Sequence, residues 1–268
     1  MDSARVSWYP GHMRKTLRAL QDDIKRVDAV CEVLDARIPF SSQNPELGHI
    51  IGSKPRLIIL NRADLADPSA TALWLRRLAP CVAAVGTSPS GVRDIEPALR
   101  RLLAALREKY EKKGQGGRSM KVMVAGIPNV GKSSLINSLC GRRAQKTENR
   151  PAVTRKPQWC GVSRGLDMLD TPGLLWPKPE GGFHLAVTGA VKDTLLDTSD
   201  LARSLLAELG GIYPERLRDR YGTAELRGAA LGRGYLLRGG EADEERMALA
   251  VLDDFRSGKL GRVTLETP

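Results

Sequence analysis

The stretch from Lys121 to Leu135, KVMVAGIPNVGKSSL, decides the fold. Val122 to Ala125 form an apolar run that is typical of a buried strand. Gly126 to Ser133 then match the pattern G-x-x-x-x-G-K-[ST] in full, and apolar residues recur at helical spacing from Leu135 onward. This pattern binds phosphate when it lies between a strand and a helix, so the stretch predicts a phosphate loop within an α/β fold.

Each residue type in this loop has a chemical reason. Gly126 and Gly131 let the backbone wrap a phosphate without a clashing Cβ. The N–H groups of the loop and the N-terminus of the following helix supply positive potential for the anion. The Lys132 ammonium can reach the β- and γ-phosphates, and the Ser133 hydroxyl can bind Mg²⁺.

Asp170-Thr-Pro-Gly173 follows a predicted strand and matches the pattern D-x-x-G. An Asp at this place holds Mg²⁺ through water, and the glycine N–H can meet the γ-phosphate. Thr154 lies in a polar loop between the two motifs, where a Thr completes the Mg²⁺ shell when the γ-phosphate is present. Thr147 is a competing candidate for this role.

Asn61-Arg-Ala-Asp64 is similar to the guanine-binding pattern N-K-x-D. The Asp64 carboxylate can accept two hydrogen bonds from guanine, and adenine lacks that pair of donors, so this residue favours GTP over ATP. Arg62 replaces the usual lysine, and its stem or its guanidinium plane can cover the base. Thr87 and Ser88 fit the loop whose backbone N–H reads guanine O6.

The order of the motifs is unusual, because the guanine motif precedes the phosphate loop. A glycine-rich connector at 111–119 would join the ends of an ordinary GTPase domain, and new ends would open after D-x-x-G. We therefore expect a circularly permuted domain at 1–178, with a mostly parallel sheet and helices on both faces. Residues 179–268 are expected to form a small all-helical domain, with one helix predicted from Leu185 to Leu209. A further continuous helix is predicted from about Val92 to Tyr110.

Composition limits the possible functions. No apolar run approaches the ~20 residues of a membrane span, and the first residues contain no apolar signal segment. We therefore expect a cytoplasmic protein without a membrane partner. The four cysteines are scattered without a C-x-x-C pair, so buried thiols are expected in preference to a disulfide or a metal site.

The positive charge is uneven along the chain. Residues 1–178 carry 30 Lys and Arg against 16 Asp and Glu, which gives +14, whereas residues 179–268 carry 12 against 15, which gives −3. The excess in the half with the nucleotide motifs favours a polyanionic partner such as RNA. A basic surface that merely aids solubility is the alternative.

The chain resembles the circularly permuted GTPases of the ribosome biogenesis GTPase A (RbgA/YlqF) family, and the likeness covers nearly its whole length. The motifs that carry it are Trp8-Tyr-Pro-Gly-His-Met13, Asp35-Ala-Arg-Ile-Pro39, Asn61 to Asp64, Gly126 to Ser133, Asp170 to Gly173, and Phe255-Arg-Ser-Gly-Lys-Leu-Gly261. The resemblance implies binding to the large ribosomal subunit during late assembly, with GTP hydrolysis stimulated by that particle.

It also implies that the helical domain contacts rRNA. Arg216, Arg218 and Arg220 are candidates for a local basic face there. An oligomer is not implied.

The resemblance points to His12 as the catalytic residue. Leu174 stands where many GTPases place a glutamine that orients water, and a leucine cannot do this. An imidazole can orient or deprotonate water near neutral pH; the alternative is that His12 holds the N-terminal turn or touches rRNA. Asn129 fits the place where related GTPases bind K⁺, and it can otherwise support the turn. Ala152 departs from the family's P-G-x-T.

The candidate residues form three groups. Catalysis is assigned to His12 and Lys132. Nucleotide binding is assigned to Asn61, Arg62, Asp64, Thr87, Ser88, Asn129, Val130, Gly131, Lys132, Ser133, Ser134, Thr154 and Gly173. The metal ligands are Ser133, Thr154 and Asp170 for Mg²⁺, and Asn129 for K⁺.

Two other function classes compete with a GTPase assembly factor. A phosphate-loop ATPase or kinase shares the loop, but Asp64 argues against it. An RNA-binding scaffold with a purely structural nucleotide site is favoured by Leu174 and opposed by the intact Lys132, Ser133 and Asp170. An organellar GTPase is a variant of the first class.

Overall fold

The computed structural model describes residues 11–141, 157–175 and 182–268, with the backbone alone for residues 11–16 and 195. Its six described strands are β1 (Ala29–Asp35), β2 (Arg56–Asn61), β3 (Cys81–Ala83), β4 (Met120–Gly126), β5 (Gln158–Ser163) and β6 (Leu166–Asp170). They form one sheet in the order β3-β2-β1-β4-β6-β5. Neighbouring strands are parallel except β5, which is antiparallel to β6. The predicted mostly parallel sheet is confirmed.

The described α-helices alternate with these strands and then follow one another without strands. They are α1 (Gly11–Ile24), α2 (Pro45–Ile51), α3 (Pro68–Arg77), α4 (Ile95–Leu102), α5 (Ala104–Lys112), α6 (Lys132–Cys140), α7 (Gly182–Val187), α8 (Thr198–Ile212), α9 (Pro214–Tyr221), α10 (Leu226–Gly232) and α11 (Glu244–Ser257). Local chemistry sets several of the ends: Asp67, Asp197 and Asp243 cap the starts of α3, α8 and α11 through their side chains.

Alternating side chains of the central strands enter two cores on opposite faces of the sheet. Val30 of β1 and Met123 of β4 pack with α1 and α2, whereas Cys31 and Val124 pack with α4 and α6. All seven residues of β1 are buried, as expected for a parallel strand covered on both faces. The permuted order places β4 in the middle of the sheet, so the phosphate loop opens beside the carboxyl ends of β1 and β6.

Two predicted helices are interrupted. The helix expected from Val92 to Tyr110 breaks at Leu103, whose backbone (φ −95°, ψ 1°) lies outside the helical range while its side chain remains in the core. Apolar residues continue across this break, so their spacing does not reveal it. The helix expected from Leu185 to Leu209 is divided between α7 and α8, because Gly189 adopts a left-handed φ of 78° and Asp197 caps a new start.

The expectation for the cysteines was wrong for one pair. Cys140 and Cys160 form a disulfide that joins the end of α6 to β5, because α6 packs beside that strand. Cys31 and Cys81 are free thiols, and burial raises the pKa of each to about 12. Spacing in the sequence gave no signal of the pair, since twenty residues separate the two cysteines.

The helical part buries its own apolar side chains and also shares a core with the sheet. Leu205 of α8 and Val251 of α11 belong to the same continuous apolar cluster as Val33 of β1. Asp254 of α11 is buried and receives ion pairs from Arg220 and Arg233. The charge of Arg220 is thus compensated within the helical part, whereas Arg216 and Arg218 are exposed.

The end of the chain returns to the sheet. The backbone N–H groups of Val263 and Leu265 donate to the carbonyls of Leu65 and Arg37. Trp74 of α3 donates its indole N–H to the Glu266 carbonyl at 2.9 Å. The expected domain boundary at 178/179 falls outside the described residues. Within the described ranges, no helix is both long enough and apolar enough to cross a membrane.

Candidate nucleotide-binding site

The phosphate loop depends on two glycines. Gly126 has a φ of 154°, and a Cβ there would collide with the Val33 carbonyl of β1. Gly131 has a φ of 95°, and a Cβ there would collide with the Asn61 amide. The loop therefore packs against β1 at Gly126 and against Asn61 of the guanine motif at Gly131. Neither position has room for a side chain.

Lys132 lies inside the loop, with 7% of its surface exposed. Its ammonium donates to the carbonyls of Gly126 at 3.2 Å and Ile127 at 2.9 Å. Burial lowers the pKa of Lys132 to about 8, and the nearby charge of Asp170 opposes this shift. A phosphate group placed over the loop would add the negative charge that favours the ammonium form.

Ser133 and Asp170 meet across the site. The Ser133 hydroxyl donates to Asp170 Oδ2 at 2.8 Å, and Thr171 fixes the strand end by donating to the Val124 carbonyl at 2.7 Å. A hydroxyl and a carboxylate together supply the hard oxygen donors that Mg²⁺ prefers, so this pair fits that ion. Thr154, the third expected ligand, lies outside the described residues.

Asn61 joins the two halves of the site. Its side chain donates to the Val130 carbonyl of the phosphate loop and accepts from the Gly86 N–H, both at 2.8 Å. Its buried amide therefore holds the guanine motif, the phosphate loop and the loop before Thr87 in one arrangement. Thr87 is exposed and Ser88 is half-buried. The loop that is expected to read guanine O6 therefore lies at the surface, at the rim of the site.

Arg62 reaches over the phosphate loop. Its Nη2 donates to the Asn129 carbonyl at 2.6 Å, and its Nη1 donates to Asp35 Oδ2 at 3.0 Å. Asp64, two residues further on, is exposed to solvent. The substitution of arginine for the usual lysine therefore retains a cation on the loop and adds a second, buried contact.

Sequence reasoning gave no role to Asp35 and Arg37, although both lie in a motif that carries the family likeness. Both are almost fully buried, and Arg37 also donates to the Phe255 carbonyl of α11 at 3.1 Å. Burial raises the pKa of Asp35, but Arg37 and Arg62 outweigh it and lower the pKa to about 2. The signal in the sequence that could have indicated their role is the pair of opposite charges directly after an apolar strand.

Asn129 connects the loop to the helical part. Its amide nitrogen donates to the Gly189 carbonyl at 2.7 Å. Between them lies a cavity of about 350 Å³, lined by Arg62, Asn129, Thr188, Gly189, Val191, Lys192, Asp193 and Arg256. Val130 is buried and Ser134 is exposed.

Leu174 points into the core. It packs in the apolar cluster that includes Leu20 and Ile24 of α1, and its N–H donates to the Gly126 carbonyl at 3.2 Å. Gly173 lies against the loop so closely that a Cβ would approach Pro128 Cα to 2.6 Å. His12 belongs to the first turn of α1, and its side chain lies outside the described residues.

Comparison with known proteins gives a consistent likeness. A family described as "50S ribosome-binding GTPase" matches residues 121–215. Ribosome biogenesis GTPase A of Bacillus cereus is 40% identical over 278 aligned residues, which cover 98% of this chain and 94% of that protein. GNP-bound YlqF from T. maritima has a TM-score of 0.64 at 26% identity, over 95% of this chain and 98% of that one. GDP-bound TM YlqF gives 0.65 at 26% identity, over 94% and 99%.

Proposed function

The chain belongs to the ribosome biogenesis GTPase A family and is a GTPase, and from this premise we propose that it serves late maturation of the large ribosomal subunit in the cytoplasm. The observation that carries the proposal is that the Asn61 side chain binds the phosphate loop. It thereby brings the two nucleotide motifs together beside the Ser133–Asp170 pair. The basic excess of residues 1–178 supports rRNA as the surface that the protein meets.

The nucleotide would be held by its phosphates and by its base. Lys132 and the N–H groups of the loop bind the phosphates, and the Gly173 N–H meets the γ-phosphate. Asp64 accepts from guanine, and Arg62 covers the base. Ser133, Thr154 and Asp170 would hold Mg²⁺, which would supply positive charge beside the phosphates when bound.

The remaining ligands complete the nucleotide site. The backbone of Val130 and Gly131 contributes N–H donors to the phosphates. Ser134 lies at the start of α6, and Thr87 and Ser88 lie at the guanine rim. Asn129 would bind K⁺ through its amide oxygen, since its nitrogen is already engaged with Gly189.

Hydrolysis needs a group that orients water, and the buried Leu174 does not offer one. We assign this role to His12, since an imidazole near neutral pH can accept a proton from water. Lys132 stabilises the charge on the transferred phosphate. Because Leu174 packs against α1, the helix that carries His12 is in contact with the segment that follows Gly173.

The test is GTP hydrolysis in K⁺ buffer with and without purified large ribosomal subunits. Small subunits serve as the particle control. We expect stimulation by large subunits, lost in His12→Ala and kept in His49→Ala, a matched change at an exposed position of α2. Stimulation that survives His12→Ala would keep the assembly role and move the catalytic group elsewhere. No binding and no stimulation would refute the role at the large subunit.

Nucleotide choice separates GTP from ATP. Asp64→Asn should exchange the preference from guanine to xanthine nucleotides, because the amide donates where the carboxylate accepted. Displacement by GDP, XDP and ADP of a fluorescent GDP analogue from the wild type, and of a fluorescent XDP analogue from the variant, measures this exchange. Equal displacement by ADP and GDP in the wild type would favour a phosphate-loop ATPase instead.

A further inference from the structure

We infer that Asp35 is a positioning residue of the guanine-nucleotide site, and that it fixes the guanidinium of Arg62 against the phosphate loop. The inference rests on the proposed function, because it assumes that the nucleotide lies beside Arg62. It concerns a residue at the end of β1, in a motif separate from the phosphate loop and from the guanine motif.

The Asp35 carboxylate is enclosed, with 1% of its surface exposed. Its Oδ1 accepts from the Arg37 backbone N–H at 3.0 Å and from Arg37 Nε at 2.9 Å. Its Oδ2 accepts from Arg37 Nη2 at 2.8 Å and from Arg62 Nη1 at 3.0 Å. Arg37 thus clamps the carboxylate from one side, and Oδ2 is shared with Arg62.

Arg62 is held at two atoms of one rigid group. Nη1 is bound to Asp35, and Nη2 is bound to the Asn129 carbonyl. A guanidinium is planar, so two contacts through different nitrogens fix the plane as well as the position of the charge. A lysine, which ends in a single ammonium, has no plane to fix. The fixed plane is therefore a consequence of the arginine at this position.

The position of the Asp35 carboxylate depends on the helical part through Arg37. Arg37 is fully buried, donates to the Phe255 carbonyl at 3.1 Å and lies 4.8 Å from the centre of the Phe255 ring. The end of α11 thereby sets Arg37, Arg37 sets Asp35, and Asp35 sets Arg62. Mutual support of this kind makes each contact depend on the next.

A purely structural role for Asp35 is the competing explanation, because Arg37 needs a counter-charge in any case. A double-mutant cycle separates the two, since residues that act through one another give non-additive effects. The variants are Asp35→Asn, Arg62→Ala and the double variant, each measured for the dissociation constant of a fluorescent GDP analogue and for the melting temperature. Arg37 stays in all of them, so any loss from its missing counter-charge is common to both backgrounds.

We expect Asp35→Asn to weaken GDP binding by about tenfold in the wild-type background and by less than about twofold in the Arg62→Ala background. The melting temperature should fall in both backgrounds, and by less in Arg62→Ala, where the contact between Asp35 and Arg62 is already lost. An equal loss of affinity in the two backgrounds would overturn the inference, because Asp35 would then act through the fold. Should Asp35→Asn not fold, Asp35→Glu takes its place, since it keeps the charge and displaces the carboxylate.

Asp28→Asn is the matched control. Asp28 is likewise a buried aspartate, lies just before the other end of β1 and pairs with Arg118 at 3.0 Å. It should lower stability and leave GDP affinity unchanged. A wild-type protein that fails to bind the GDP analogue would refute the proposed nucleotide site. Binding that is normal in Arg62→Ala would leave that site standing and overturn the inference alone.

Discussion

His184 makes the stability of this protein depend on pH in a definite direction. Its Nε2 lies 2.9 Å from Glu208 of α8, and its Nδ1 lies 2.8 Å from Glu266 near the chain end. Glu266 also accepts from the backbone N–H groups of Phe40 and Ser41. The protonated imidazole therefore joins α7, α8 and the returning tail to the loop after β1.

The size of the effect follows from the pKa. Burial lowers the pKa of His184, but the hydrogen bonds to Glu208 and Glu266 outweigh it and raise the pKa to about 9 from an ordinary 6.5. At 1.36 kcal/mol per pKa unit, this corresponds to about 3 kcal/mol of stability. Because the folded-state pKa is raised, the contribution is complete below about pH 6.5 and is lost as the pH rises through about 9.

Glu208→Gln should remove roughly half of this contribution, about 1–2 kcal/mol at pH 7. The difference between wild type and variant in urea unfolding should shrink steadily between pH 7 and pH 10. Glu241→Gln, at an exposed position, is the matched control and should cost less than about 0.5 kcal/mol.

NMR titration gives the direct measurement. The chain has three histidines, so the resonance of His184 is assigned by its loss in His184→Gln. We expect His184 to titrate near pH 9 in the wild type and about one unit lower in Glu208→Gln. A wild-type midpoint below about 7.5 would refute the reasoning, because the imidazole would then gain little from its two carboxylates.

Three further predictions follow from buried contacts. Asn61→Ala leaves two buried backbone groups without partners and should cost about 2–4 kcal/mol in calorimetry, whereas the exposed Asn137→Ala should stay within about 0.5 kcal/mol; equal costs would contradict the bridging role. Gly131→Ala should weaken GDP binding at least about tenfold through backbone strain, while Gly211→Ala, in open space within α8, should stabilise by about 0.5–1 kcal/mol. Cys140→Ser should abolish the difference in free energy of unfolding between oxidised and reduced protein, which we expect to be about 3 kcal/mol for a loop of this length; no difference in the wild type would argue against the disulfide.

Local patterns predicted the architecture well. The phosphate loop, its strand and its helix are contiguous, so neighbouring residues alone encode them. The order of the motifs predicted the permutation, and strands alternating with helices predicted the parallel sheet. The break at Leu103 was missed because apolar spacing persists through it. The break at Gly189 was missed because the left-handed backbone of one glycine leaves no mark on the apolar pattern.

The candidate site likewise contains residues that local patterns predicted and contacts that they did not. Sequence patterns predicted Lys132, Ser133 and Asp170 as site residues, because each belongs to a motif with fixed spacing. They did not identify Asp35 as the partner of Arg62, nor the disulfide. These contacts join residues that are 27 and 20 positions apart, and no short pattern records such a distance.

The sequence by itself determined the nucleotide chemistry, the order of the elements and the family, since all three are written in short contiguous motifs. Tertiary structure alone decided which side chains meet across them: Asn61 with the phosphate loop, Asp35 with Arg62, and His184 with Glu266. The physical reason is that strand pairing and helix packing bring distant residues within hydrogen-bond distance, and burial then makes those few contacts energetically decisive.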